Sequence, residues 1–262
     1  MQIISLNFRG FGNPSKVEVV KDLMKMDSVD ILSLQETKIE GETLLEISKK
    51  KWQKNAGKAV SSRGSLGGIS TLWKDDQFML VNSSETQHWI FTELRHIASK
   101  LTFALFNLYV PVMYAEKKEC WKNLNAFLEL HSPNNIIIAG DLNIVMNLKE
   151  KRGGSSSRDQ MIHVVEDIVL QWDLMDFKPK KGLYTWTNNM TGEDHISARL
   201  DRFLVQSTML MERRLISSKI IPNLTLDHKP ILLSLEEEEN LGPIPFIFSP
   251  LWSSKDGFLD TV

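Results

Sequence analysis

Asn134-Asn135-Ile136-Ile137-Ile138-Ala139-Gly140-Asp141-Leu142-Asn143 is a short apolar, β-branched run that stops at a glycine and gives way to two polar side chains. A run of that length and composition reads as a buried strand. Asp141 and Asn143 stand two apart, and in extended backbone such residues point to the same side. The stretch therefore predicts a carboxylate and an amide delivered side by side at the end of a core strand. That is a piece of an active site if other elements supply its partners.

Working outward, the 262 residues are enough to bury a substantial core, and the apolar and charged fractions are those of an ordinary soluble globular protein. A net charge of −2 gives no global basic field, so an anionic substrate must be drawn by a local patch or a metal ion. The single cysteine, Cys120, excludes an internal disulfide framework and, with six dispersed histidines, argues against a Cys/His zinc site. Met1 runs straight into the strand-like residues 2–7, so no secretory leader is expected. No apolar run approaches the roughly 20 residues that span a bilayer, so no membrane partner is expected either. Lys49-Lys50-Lys51 beside Trp52 reads as a solvated face rather than a nuclear signal.

Strand and helix signals interleave without a repeat. Strands are expected at 2–7, 30–36, 69–73, 78–82, 88–95, 100–109, 136–141, 183–187, 198–205 and 231–235, the last two before it pairing across 188–197. Helices are expected from an N-cap at Ser15, near 41–52, and over 115–131, 160–171 and 208–215. Gly64-Ser65-Leu66-Gly67-Gly68 lacks both phosphate-loop patterns and reads as a turn. Residues 149–158, with Gly153-Gly154 and three serines, read as a mobile basic loop. This is one α/β domain over 1–238. Residues 239–262, acidic at first and then Gly242-Pro243-Ile244-Pro245, read as a linker and C-terminal extension.

Strand after strand ends in a polar group: Asn7, then Glu36, Tyr109, and Asp141 with Asn143. Asp201 sits inside the apolar Leu200-Asp201-Arg202-Phe203-Leu204-Val205, and Asp227-His228 precedes Lys229-Pro230-Ile231. A carboxylate within an apolar strand is costly unless paired or coordinating a metal. Any one of these could be a capping residue; six spread over the chain are hard to explain so. The set holds carboxylates, amides, a phenol, a histidine and no thiol. Hard oxygen ligands of this kind suit Mg²⁺ or Mn²⁺ that keeps several waters, which points to metal-assisted phosphoester hydrolysis. His228, beside an acid, could bind or protonate a phosphate oxygen.

Asn7, Gln35-Glu36, Tyr109-Val110-Pro111, Gly140-Asp141-Leu142-Asn143, Arg199-Leu200-Asp201-Arg202 and Asp227-His228 occur in an order and spacing that resembles the endonuclease/exonuclease/phosphatase superfamily. That group includes DNase I and the apurinic endonucleases. Within it, Ser5-Leu6-Asn7-Phe8-Arg9-Gly10, Gly67-Gly68-Ile69, Tyr184-Thr185-Trp186-Thr187-Asn188 and residues 198–205 resemble the endonuclease domain of plant LINE-type retrotransposons. Residues 245–259 resemble the link that precedes reverse transcriptase in such polyproteins.

The resemblance implies a DNase I-like, four-layer α/β/β/α sandwich of two packed mixed β-sheets with outer helices. It makes Glu36 the main ligand of Mg²⁺ (or Mn²⁺), with Asn7 and Asp227 nearby. Asp201 would pair with His228, Asp141 would orient or deprotonate the attacking water, and Asn143 and Tyr109 would hold the scissile phosphate. Whether Asp141 or the His228 pair is the base stays open. Two positions depart from the apurinic endonucleases: Arg9 stands where they carry an aspartate, and Leu226 where a serine is common. Arg9 could contact phosphate but cannot bind metal.

The leading expectation is a Mg²⁺-dependent DNA endonuclease that nicks one strand and leaves a 3′-hydroxyl, acting in the nucleus. Lys149, Lys151, Arg152 and Arg158 would touch the DNA backbone, and Asn188 would open a loop lying at a groove. A second reading is a phosphoesterase for inositol phosphates or phospholipids; the Trp-Cys-Asp-Arg form of the inositol phosphatases is absent, as is a membrane-docking run. A third is a non-catalytic fragment, which predicts an eroded site.

Overall fold

The computed structural model describes residues 1–10, 19–20, 22–23, 25–26, 29–52, 54–62, 67–155, 158–211, 214–222 and 226–237. The expected cap at Ser15, Gly64-Ser65-Leu66 and the extension 239–262 lie outside the described residues.

Two six-stranded mixed sheets carry the architecture. The first runs, edge to edge, β14 (Arg214–Ile220), β15 (Ile231–Glu237), β1 (Gln2–Asn7), β2 (Ile31–Gln35), β4 (Ile69–Lys74) and β3 (Asn55–Val60). The second runs β10 (Leu174–Asp176), β13 (Asp201–Gln206), β8 (Ile136–Asp141), β7 (Thr102–Tyr109), β6 (Trp89–His96) and β5 (Phe78–Glu85). Each sheet has one parallel pair, β1 with β2 and β7 with β8; the other pairings are antiparallel. A small third sheet joins β11 (Trp186–Thr187), β12 (Ser197–Ala198) and β9 (Lys151–Arg152).

The period-2 alternation of the strands sorts their apolar residues into three separate cores. Along β8, Ile136 and Ile138 face α2 (Tyr114–His131) and α3 (Ile162–Gln171), packing on Trp121, Leu124, Val165 and Ile168. Ile137 and Ala139 point the other way, into a layer shared with Ile3, Ile31, Ile231 and Leu233 of the first sheet. On the far side of that sheet Ile4, Leu6, Leu32 and Leu34 pack against Val20, Leu23 and Leu44, the last on α1 (Gly41–Lys51). Three cores between four layers give the α/β/β/α sandwich that the resemblance implies.

The local expectations fail in instructive places. The run 198–205 is not one strand: it breaks at Arg199-Leu200, so β12 pairs with β11 while β13 crosses to β8 and β10. The helix expected over 208–215 is only Thr208–Met211, because the chain from Arg214 instead adds an edge strand to β15. The basic stretch expected to be a mobile loop is partly built in: Leu148–Glu150 forms a 3-10 turn and Lys151-Arg152 pairs with β12. The strands β3, β10 and β14 are formed by tertiary pairing that local pattern does not announce.

Gly140 permits the close approach on which the site depends. It pairs with Leu108 at φ 149°, and a Cβ there would lie 1.8 Å from the Leu108 carbonyl oxygen. No side chain fits, so glycine lets β8 lie against β7 up to the residue before Asp141.

Candidate active site

Between the sheets the inner layer is apolar at one end and polar at the other, where Ser5, Asn7, Ser33, Gln35, Asn107, Asp141, Asp201 and His228 are buried. The same period-2 rule puts them there, since residues 3, 5 and 7 of β1 share a face, as do 137, 139 and 141 of β8. Beneath the site Gln35 donates to Asn107 Oδ1 (2.6 Å) and Ser5 Oγ (3.1 Å), pinning one sheet to the other.

Asn7 is the bridge. Its Nδ2 donates to Glu36 Oε1 (3.0 Å) and to Asp141 Oδ2 (2.9 Å), while its Oδ1 accepts from the Arg9 backbone N–H (3.2 Å). Asp141 faces its register partner Asp201 across the β8–β13 pair. His228, entering from the first sheet just ahead of β15, sets Nδ1 against Asp201 (3.0 and 3.2 Å) and Nε2 3.8 Å from Asp141 Oδ2. Asp201, His228 and Asp141 thus form a buried line with the imidazole in the middle. The Nε2 to Asp141 gap is too long for a direct hydrogen bond.

The charges respond to burial and to each other. Burial by itself would lower the pKa of His228, but Asp201 and then Asp141 more than reverse this and raise it to about 9. Burial is also the largest influence on Asp141; His228 opposes it, and the carboxyl ends at about 6. His228 is therefore a cation at neutral pH, and Asp141 is a carboxylate held against its preference.

On the open side stand Glu36, Tyr109, Arg9, Lys38 and Asp227. Glu36 follows β2 with φ 49°, and that turn aims its carboxylate back at the end of β1. It accepts from Asn7, is hydrogen-bonded to Tyr109, and has Lys38 Nζ at 3.5 Å. Burial and then Glu36 push the Tyr109 phenol above its ordinary value, so it stays a donor. Asp227 is held by the Arg9 guanidinium, which outweighs the effect of burial and keeps its carboxyl below the usual range. Arg9, Lys38, Trp186, Thr187, Asn188, Asn189 and Asp227 line an open cleft of ≈ 530 Å³ alongside.

Asn143 departs from the extended geometry expected of it. It has φ 47°; its N–H donates to Asp141 Oδ1 (2.9 Å) and its side-chain amide to the Val110 carbonyl (2.7 Å). The amide thus stands on the β7 side rather than parallel to the carboxylate. Among the basic residues, Lys149 and Arg158 line a neighbouring pocket of ≈ 410 Å³, Arg152 is exposed, and Lys151 Nζ donates to the Ser155 carbonyl. Asn188 gives its side chain to its own loop, accepting from Met190 and Ile196 N–H and donating to the Asp194 carbonyl. Met190, 60% exposed, is what that loop presents outward.

Two supporting residues escaped the sequence reading. Buried Thr185, just ahead of β11, accepts at Oγ1 from the Leu200 and Asp201 N–H groups (3.0 Å each) and takes the N–H of Lys229, the residue after His228, at its carbonyl (2.7 Å), so it braces the chain at both members of the Asp201–His228 pair. Buried Lys117 on α2 donates to the Asn143 carbonyl (2.8 Å) and to Asp159 (2.6 Å). A lysine on the core side of an amphipathic helix was the signal available.

Among the described residues, two groups of side chains could take a cation. Ligand atoms of Asp141, Asp201 and His228 lie within 4.8 Å of one another. The oxygens of that trio already accept from His228, Asn7 and the Asn143 N–H, and it offers a nitrogen, whereas Mg²⁺ prefers oxygen and retains water. Glu36, with the Asn7 amide beside it, offers hard oxygens at the cleft. A lysine and an arginine already stand in as cations there, so the donor set at Glu36 fits a divalent ion.

The sequence profile of the Endonuclease/Exonuclease/phosphatase family matches residues 4–217. A Xenopus laevis protein described as Transposon TX1 uncharacterized 149 kDa protein is 24% identical over 232 residues, 85% of this chain. The chain spans only 17% of that relative's length. Among solved structures, the catalytic domain of Xenopus laevis APE2 superposes with TM-score 0.71 at 18% identity, covering 90% of this chain and 91% of that one. The 3′ phosphatase NExo from Neisseria, bound to product DNA hairpin, gives 0.69 at 14% (90% and 99%). The endonuclease domain of TRAS1, a telomere-specific non-LTR retrotransposon, gives 0.66 at 12% (89% and 97%).

Proposed function

The chain belongs to the Endonuclease/Exonuclease/phosphatase family, whose members act on phosphoester bonds, and on that premise we propose that it is a Mg²⁺- or Mn²⁺-dependent DNA endonuclease that nicks one strand and leaves a 3′-hydroxyl. The observation that carries this is the Asp201–His228–Asp141 line joined through Asn7 to Glu36, a water-handling group and a cation-binding group one amide apart. Similarity to a transposon protein and to a retrotransposon endonuclease domain supports DNA as substrate; a reverse transcriptase domain as covalent partner and a nuclear location are part of the same proposal.

In this reading Glu36 would hold the ion with Asn7 beside it, and a bound divalent ion would polarise the phosphoryl oxygen and neutralise developing charge. Tyr109 and Asn143 hold the scissile phosphate. Asp141, fixed by the N–H of Asn143, orients the attacking water and accepts its proton. The water oxygen bonds to phosphorus, the bond from phosphorus to O3′ breaks, and O3′ takes up a proton from solvent water, leaving a 5′-phosphate and a 3′-hydroxyl. His228, a cation held by Asp201, faces Asp141 across 3.8 Å and donates to a phosphate oxygen. Asp141 is thus the base and the histidine pair the electrostatic clamp. Lys149, Lys151, Arg152 and Arg158 contact backbone phosphates, and the loop from Asn188 lies at a groove.

Supercoiled plasmid with Mg²⁺, treated with wild type, Glu36→Gln and His228→Ala, is the test. Nicking by wild type alone is expected; equal nicking by all three overturns the proposal. Release of phosphate from an inositol polyphosphate with plasmid left intact would move the substrate to small molecules.

A further inference from the structure

We propose that Arg9 is a tethered cation that takes Asp227 out of the metal-binding set, so that the site holds one divalent ion, on Glu36, rather than two. The inference rests on the metal-dependent reading above and concerns the number of ions. Four carboxylates gather here: Asp141, Asp201, Glu36 and Asp227. Asp201 is spoken for by His228, and Asp141 by Asn7 and the Asn143 N–H. That leaves Glu36 and Asp227 facing the cleft, each with a permanent cation beside it.

The two cations are held differently. Lys38 Nζ lies 3.5 Å from Glu36, beyond ordinary hydrogen-bonding distance, on a flexible stem that an incoming ion can push aside. Arg9 makes direct hydrogen-bonded contact with Asp227 Oδ2. Its backbone is fixed as well, at φ 46° with its N–H on Asn7 Oδ1. A planar guanidinium bonded to the carboxylate and carried on a fixed backbone is harder to displace than a mobile ammonium. Ions in two-metal sites stand roughly 3.5–4 Å apart. A second ion on Asp227 would compete with Arg9 for its carboxylate and would stand against that positive charge.

Mn²⁺ alone is the probe, titrated into the full chain and followed by the EPR signal of free Mn²⁺ and by calorimetry. Wild type is expected to bind one ion per chain, and Glu36→Gln none. Arg9→Met and Arg9→Gln are expected to bind two, and Arg9→Lys one. Arg9 is half exposed, so these variants keep the core intact, which circular dichroism checks. If both uncharged Arg9 variants still bind one ion with unchanged affinity, or wild type binds two, the proposal is overturned while metal dependence stands. If wild type binds none even with DNA present, the metal-dependent reading falls and takes the inference with it.

Discussion

One strand, β13, carries two buried charge clusters on its opposite faces, and they are built to different rules. Asp201 points inward, to His228 and Asp141. Arg202, the next residue, points outward into the helix layer beside Arg199. There Arg199 binds Glu150 (3.0 Å) and Asp176 (2.7 Å), and Arg202 binds Asp176 (2.7 Å) and Glu150 (2.5 Å). Two guanidinium groups, both 0% exposed, meet two carboxylates in a square, and Lys178 Nζ adds a third cation 3.3 Å from Glu150, so every acid there is paired within the protein. On the inner face carboxylates outnumber the cations that touch them, and the balance must come from an ion or from the protein's own displaceable groups. A buried network whose acids are all paired within the protein is scaffolding; one short of cations in the same fold is a place for chemistry.

If the faces differ in this way, they separate under mutation. Asp141→Asn is expected to lower plasmid nicking by up to about 10⁴-fold, roughly 5 kcal/mol of transition-state stabilisation. Its melting temperature should stay level or rise, because a desolvated carboxylate is replaced by a neutral amide. Arg202→Met should do the reverse. It removes one of the two guanidinium groups that hold Glu150 and Asp176, leaving Arg199 to carry both, and costs about 3 kcal/mol of stability, with nicking by the folded fraction unchanged within about twofold. A melting curve and a rate at 20 °C on both proteins decide; a large rate loss in Arg202→Met at full stability would dissolve the distinction. Adding Glu150→Leu to Arg202→Met should recover part of the loss, since an apolar pair replaces a broken ion pair.

The inner face was the more legible in the sequence. Its residues sit at strand ends, where Asn7, Glu36, Tyr109 and Asp141 interrupt apolar runs, and their order along the chain matches a family. Geometry that depends on a single backbone torsion was not legible. Asn143 and Glu36 both take positive φ, and the assumption of extended backbone put the Asn143 amide on the wrong side. The outer square was legible only by half: two arginines flanking Asp201 in an apolar run require buried carboxylates, but nothing local selects Glu150 from a basic loop or Asp176 from a strand of three residues. Strand β3, Asn-Ala-Gly-Lys-Ala-Val, has no apolar alternation and exists because β4 offers it an edge.

The smallest and most discriminating difference between the faces lies in acid. Burial raises the pKa of Glu150, but hydrogen bonds and charge from Arg202 and Arg199 outweigh it and hold the carboxyl at about 2, against 4.5 for the free group. Its contribution is complete above about pH 4.5 and fades as pH falls toward 2. Asp141 has the opposite sign. At about 6 against 3.8, it takes up a proton earlier when folded, so lowering the pH from 7 through 6 relieves a cost instead of removing a gain. Urea midpoints of wild type, Asp141→Asn and Glu150→Gln at pH 7, 5 and 3 read both effects. The gap between wild type and Asp141→Asn should narrow between pH 7 and 5. The gap to Glu150→Gln should hold over that interval and narrow only below about 4.5. Two gaps that shrink together over one pH range would mean that the faces titrate as a single network, and the strand between them would not be the insulator that its alternation implies.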